Sequence, residues 1–314
     1  LLVTTAPAPS LLQAAAAAAG GQHYPAPALY LVATPIGNLA DLSLRAVHVL
    51  SLVDAVACED TRHTAPLLRH LGLDKPLLAL HQHNEQGAAR VVVERLARGE
   101  RVAYVSDAGT PAVSDPGALL VAAVQAAGHP TVPIPGPSSA LAALSVAGDP
   151  AADGFTFVGF LPARGAEREA ALQALTAAAR AQVLFEAPHR IESLAAGLAA
   201  HCPARRVTLC RELTKQFETT VTLPSDALPG WLAAEPNRLR GEFVLVLHAA
   251  PAEAAPGEAD DARLLAPLLR ALPLKQAVAL AAEIGGAPRN RLYRQALEMK
   301  AAADGDMPDG EPGS

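Results

Sequence analysis

From residue 29 to residue 134 the chain repeats one pattern: a short unbroken apolar run, a turn, then an amphipathic stretch. Parallel strands covered on both faces look like this, because no position along them is left to solvent. The runs fall at 29–33, 55–58, 77–80, 102–105 and 131–134. Helices are expected between them at 42–50, 61–71, 85–98 and 117–127. Strand–helix alternation of this kind predicts an α/β fold built on an open parallel sheet. Asp41 is placed to cap the first of these helices, and Asp115 followed by Pro116 to open the last.

After Gly148-Asp149-Pro150 the texture changes. Apolar runs at 155–160, 183–185, 206–210, 219–223 and 243–248 follow one another with only two or three helices between them. Closer spacing predicts a mixed sheet with hairpin connections. The expected organisation is therefore an N-terminal α/β domain over 28–148 and a second α/β domain over 149–250, with the cleft between them as the default ligand site. Residues 1–27 are rich in Ala and Pro and are expected to be a disordered or weakly helical leader. No Lys or Arg precedes their apolar section, so they do not fit a signal peptide. Residues 251–262 are expected to be a linker and 301–314 a disordered tail. Between these, residues 263–300 have a helix-turn-helix-like outline: a helix at 275–284, the turn Gly285-Gly286-Ala287-Pro288, then a basic helix.

A hydrophobic share of 51% is enough for large cores, yet no run of 18 apolar residues occurs, so no membrane span is expected. The formal net charge of -6 offers no global attraction to nucleic acid, and any such partner must be held by local basic clusters. Cys58, Cys202 and Cys210 are odd in number and lack CxxC spacing, which favours a reducing cytoplasm over a disulfide scaffold or a zinc ribbon.

Three loops carry unusual content at the ends of predicted strands. They are residues 34–41 (TPIGNLAD), 106–111 (SDAGTP) and 135–139 (PGPSS). Glycine lets such a backbone approach a ligand closely, and proline sets its direction. Alone, each loop is more simply read as ordinary turn chemistry. No G-x-G-x-x-G follows a strand, and no Walker A sequence is present. His81, His83 and Glu85 lie within five residues, but without a clear third ligand no metal is expected.

Taken together, the loops resemble the tetrapyrrole methylase superfamily. Residues 132–148 (VPIPGPSSALAALSVAG) are similar to its Pro-Gly-x-Ser-Ser hallmark, with Ser138 where that hallmark can carry another small residue. TPIGNLADLSLRA (34–46), EDTRHT (59–64), HQHNE (81–85), SDAGTP (106–111), GFLPARG (159–165), EAPHR (186–190), RELTKQFE (211–218) and GEFVLV (241–246) resemble one branch more narrowly. That branch comprises the bacterial small-subunit ribosomal RNA 2′-O-ribose methyltransferases I, which methylate a cytidine ribose in the decoding region. The resemblance covers about residues 28–300.

The resemblance implies an S-adenosylmethionine site in the cleft between the two α/β domains. Pro35, Gly37, Ser106, Asp107, Ala108, Gly136, Ser138, Ser139, Glu186, Ala187, Gly241 and Glu242 are the expected cofactor-binding residues. Asp60, Arg62, Asn38 and His83 are the catalytic candidates, with Asp60 and Arg62 expected to orient the ribose. A ribose hydroxyl reacts once its proton is shared with a base. Glu59, Asp60, Asp107, Glu186, His63, His81, His83 and His189 leave that base open.

Small-subunit ribosomal RNA, free or in the assembled subunit, is the implied partner, with Arg164, His189, Arg190, Arg211, Lys215, Arg291 and Arg294 as candidate contacts. The same resemblance implies a homodimer; neither membrane nor DNA is an expected partner. Two other readings remain open: methylation of a precorrin-like tetrapyrrole, and a ribosome-assembly factor without catalysis.

Overall fold

The computed structural model describes residues 10–81, 84–250 and 258–304. Residues up to Ala249 form one compact unit, and those from Ala250 a second.

The first unit opens with β1 (Ala28–Val32), α2 (Leu44–Leu52), β2 (Ala55–Cys58), α3 (Thr61–His70), β3 (Leu77–Ala79), α4 (Glu85–Ala97), β4 (Arg101–Val105), α5 (Ala118–Ala126) and β5 (Thr131–Ile134), with α1 (Leu11–Ala19) ahead of them. The five strands make one sheet in the order β3-β2-β4-β1-β5, and every pairing is parallel. Its central strands are buried because helices cover both faces. Tyr30, Val47, Leu50 and Val56 pack on one side, and Leu29, Leu96, Tyr104 and Leu120 on the other.

The second sheet follows with β6 (Phe155–Phe160), α7 (Gly165–Ala177), β7 (Ala181–Glu186), α8 (Ile191–His201), β8 (Arg206–Arg211), β9 (Thr219–Pro224), α9 (Leu228–Ala233) and β10 (Phe243–Leu247). Its order is β6-β7-β10-β8-β9; β6 and β7 run parallel and the remaining pairs antiparallel, as the closer spacing predicts. Helix α6 (Ser139–Ala147) precedes the expected boundary at 148 in sequence but packs on the second sheet. Its Ala140, Ala143 and Ala147 lie against Val183, Cys210, Val244 and Val246. Small side chains allow this close approach, and Gly148, in the left-handed conformation, ends the helix. Cys58, Cys202 and Cys210 are unpaired.

Several local expectations are corrected. Residues 10–27 are part of the fold rather than a loose leader. Ser10 and Gln13 form a capping box for α1, Ala15 and Ala19 are buried, and the Tyr24 hydroxyl donates to the Ala19 carbonyl at 3.0 Å. Residues 1–9 lie outside the described residues. Ser43, not Asp41, caps α2, accepting from the Ala46 amide; Asp41 ends a short 3-10 turn. Asp115 does not cap α5, which begins at Ala118 with no cap from its own neighbours. The Glu85 carboxylate performs that task from the start of the neighbouring helix α4, accepting from the amides of Gly117 and Leu119 at 2.8 and 3.0 Å.

The second unit consists of α10 (Glu258–Ala271), α11 (Leu274–Gly285) and α12 (Arg289–Asp304) around Leu265, Val278, Ala281, Leu292 and Ala296. The expected linker is thus helical from residue 258, and α12 runs to residue 304, past the expected end at 300. The left-handed Gly286 closes α11, which gives the predicted turn its place.

Candidate functional site

The parallel sheet presents its strand ends, and the loops that follow them, on one side. Three of those loops are tied to one another. Thr34 and Gly109 exchange backbone hydrogen bonds of 2.9 and 3.0 Å, and the Thr34 hydroxyl donates to the Ser106 carbonyl. The Thr110 hydroxyl donates to the Pro137 carbonyl at 3.1 Å. Gly109, at φ 80°, makes the turn that permits this convergence.

Beyond these loops lies a cavity of about 450 Å³, within the usual range for a small-molecule site. The first sheet contributes Ile36, Glu59, Asp107, Ala108, Asp115 and the α6 residue Ser139. The second contributes Phe160, Phe185, Glu186, Ala187, Pro188, Leu213, Glu242, Phe243 and Val244. A smaller cavity of about 240 Å³ adjoins Asp107 on its other side, between Thr34, Pro35, Ser106 and the α3 residues His63, Thr64 and Leu67.

Of the expected cofactor residues, Asp107, Ala108, Ser139, Glu186, Ala187 and Glu242 wall the larger cavity, while Pro35 and Ser106 face the smaller one. Ser138 caps α6, accepting from Leu141. The remaining glycines act by close approach. A Cβ on Gly136 would meet Ala33 Cβ at 3.0 Å, one on Gly37 would meet Lys215 Cγ at 2.5 Å, and one on Gly241 would meet Glu212 Cγ at 2.6 Å.

Asp60 and Arg62 pair with each other, the guanidinium holding both carboxylate oxygens at 2.6–3.0 Å. Hydrogen bonds from Arg62 hold the Asp60 carboxyl at about 2, and Asp60 also caps α3. Neither residue lines either of these two cavities. Asn38 caps a 3-10 turn by accepting from Ala40. His83 lies outside the described residues. Glu85, which lies near His81 and His83 in sequence, turns inward to cap α5. The His63 ring lies 2.7 Å from Asp107 Oδ2, and this contact raises the imidazole pKa. Ligating atoms of Asp60, His63 and Asp107 lie within 4.8 Å of one another, but Arg62 already occupies both oxygens of Asp60.

The candidate RNA contacts divide by what their side chains already do. Arg190 binds Glu186 at 2.8 Å, Lys215 bridges Glu212 and Glu242, Arg211 donates to the Arg240 and Phe217 carbonyls, and Arg291 pairs with Asp261 at 2.8 Å. Arg164, His189 and Arg294 are exposed. Sequence reasoning missed Asp115, Phe160 and Phe185 as cavity residues. Asp115 does carry one signal, since it lies a few residues beyond the SDAGTP loop.

Residues 28–229 match the family described as Tetrapyrrole (Corrin/Porphyrin) Methylases, and residues 255–300 match the one described as the RsmI C-terminal HTH domain. The chain belongs to the tetrapyrrole methylase family. It is 47% identical over 273 residues to the ribosomal RNA small subunit methyltransferase I of Escherichia coli O157:H7, covering 87% of this chain and 95% of that one. The protein of the same name from Pseudomonas aeruginosa is 49% identical over 277 residues, covering 87% and 97%. Among solved tetrapyrrole methylase folds, the methyltransferase CobJ superposes with a TM-score of 0.54 at 19% identity, covering 70% of this chain and 94% of that one. The helical second unit lies outside the region matched to the tetrapyrrole methylases and has its own family match.

Proposed function

We propose that this chain transfers a methyl group from S-adenosylmethionine to the ribose 2′-oxygen of a cytidine in the decoding region of small-subunit ribosomal RNA. The observation that carries this reading is the identity of 47–49%, over 87% of the chain, to ribosomal RNA small subunit methyltransferases I. The bound donor supplies a methyl group on a positively charged sulfur. The walls of the larger cavity suit such a cation: Asp107 and Glu242 bring carboxylates, and Ile36, Leu213, Phe160 and Phe185 bring apolar surface.

In-line methyl transfer cancels charge as it proceeds, so the chain's contribution is mainly positioning. The tied loops at Thr34, Gly109 and Pro137 fix one wall, and the Glu212–Lys215–Glu242 bridge fixes the wall opposite. We assign RNA binding to exposed cations such as Arg164 and Arg294 and to the helical second unit, with a homodimer in the cytoplasm as the working form. Exposed Leu141 and Val146 on α6 and exposed Phe160 support a partner surface. No helix among the described residues is long and apolar enough to cross a membrane.

The test is incorporation of labelled methyl into small subunits, and separately into free ribosomal RNA, from a strain lacking the modification. Incorporation at one cytidine ribose is expected; none in either substrate would overturn the proposal. A chain ending at residue 255 should keep calorimetric donor binding and lose most RNA methylation.

A further inference from the structure

We propose that Asp115 is the group that takes the proton from the hydroxyl being methylated, with Glu59 beside it; this rests on the methyl-transfer reading above. The carboxylates around the larger cavity divide by partner. Asp107 is bonded to His63 and to the Asp60 amide, Glu186 lies between Arg168 and Arg190, and Glu242 is paired with Lys215. Asp115 faces no Lys, Arg or His among the described residues; its polar neighbours are the Ser106 hydroxyl, Glu59 and Asp107. It nonetheless lines the cavity. A half-buried carboxylate left without a cation is costly, and such groups mark the place where a site moves protons.

Its position is fixed from both sides. The Tyr104 hydroxyl donates to the Pro116 carbonyl at 2.6 Å, and Glu85 holds the amides of Gly117 and Leu119. On the other side, Ala112 and Ser114 take left-handed conformations at φ 64° and 62°. Non-glycine residues persist in that region only where their surroundings over-determine them. Ser114 also packs against β6, where a Cβ on Gly159 would reach its Oγ at 2.7 Å.

Burial, reinforced by the charge of Glu59, pushes the Asp115 carboxyl up to about 6. A base with that value is mostly ionised at neutral pH and accepts a proton more readily than an ordinary aspartate. Glu59 is itself raised by burial and by Asp107. Tyr104, raised by burial, stays protonated as the donor to Pro116. The step balances within this site. The ribose oxygen forms its bond to the methyl carbon, and the carbon–sulfur bond breaks with its electron pair going to sulfur. The O–H proton passes to Asp115 and is then lost to water.

The full-length Asp115→Asn and Asp115→Glu proteins test this, with thermal melts to establish that each is folded. Donor affinity is read by calorimetry, single-turnover methylation is read across pH, and the Asp115 carboxyl is titrated by carbon-13 NMR. Asp115→Asn should bind S-adenosylmethionine as the unsubstituted protein does and lose about a hundredfold to ten-thousandfold in single-turnover rate. The limb of the pH–rate profile centred near 6 should vanish, and Asp115→Glu should restore part of it. An unchanged rate or limb in Asp115→Asn overturns the proposal. A marked loss of donor affinity also overturns it, by giving Asp115 to the donor's ammonium group instead. If the unsubstituted enzyme methylates no small-subunit RNA, the functional reading fails as well; if it methylates normally and Asp115→Asn keeps its rate or its pH limb, this assignment alone is overturned.

Discussion

Glu85 Oε1 lies 2.8 Å from the amide nitrogen of Gly117, so the first residue of α4 supplies the N-terminal cap of α5 from 32 positions away. Replacing Glu85 with Ala leaves the Gly117 and Leu119 amides without their acceptor in a buried setting. The expected cost is about 2–3 kcal/mol, seen as a fall of several degrees in Tm. Because the same amides fix the segment carrying Asp115, methylation should fall further than stability alone explains.

Arg190 belongs to the fold as much as to any RNA surface. Glu186 is fully buried and is held by Arg190 at 2.8 Å and by Arg168 at 2.9 Å. Removing both arginines should destabilise the protein by about 3–5 kcal/mol, since a buried charge is then left alone. Arg190→Ala by itself should lower Tm while leaving the salt dependence of RNA binding unchanged. A shallower salt dependence in that variant would return Arg190 to the RNA contacts.

His63 should titrate above its ordinary value of 6.5, because Asp107 accepts from its ring and attracts its charge. A raised value in the folded state means the contact stabilises fully below the unfolded pKa and is lost as pH rises through the folded one. Proton NMR of the imidazole should show the elevation, and Asp107→Asn should bring it back toward 6.5. An unshifted His63 in the unsubstituted protein would break the link between α3 and the cavity wall.

In the helical second unit, Arg291 and Arg294 should part company. Arg291 pairs with the buried Asp261, so Arg291→Ala should lower the melting temperature of that unit. Arg294 is exposed, and Arg294→Ala should weaken RNA binding and reduce its salt slope by about one. Filter binding at several salt concentrations separates the two effects.

All ten strands were legible in the sequence as short apolar-rich runs bounded by turns; 55–58, buried at every position, is the uninterrupted apolar run that a central parallel strand must be. Helix α1 was not. Its fully buried residues are the alanines Ala15 and Ala19, and Leu12 is the one large side chain beside them on the core, too little to mark an amphipathic helix. The start of α10 was obscured by its run of acids, although Leu264, Leu265 and Leu268 form its inner stripe. The cap from Glu85 was out of reach because it is a tertiary contact with no local spacing to reveal it. In the site, glycines and prolines made the three loops conspicuous, but their joining in one site was implied by the family resemblance. The division of labour was not legible. Gly37 and Gly241 serve loop packing against Lys215 and Glu212, and an aspartate before Pro116 has the spelling of a helix cap although Asp115 lines the cavity instead.

Helix α6 is encoded with the first five strands yet lies on the second sheet. A fragment severed after Gly148 would therefore carry an alanine stripe with nothing to cover, and the complementary fragment would leave Val183, Val244 and Val246 bare. The two halves are interlocked by this one exchange. Any shuffling of them between relatives must transfer α6 together with the strands it shields, or both products will aggregate.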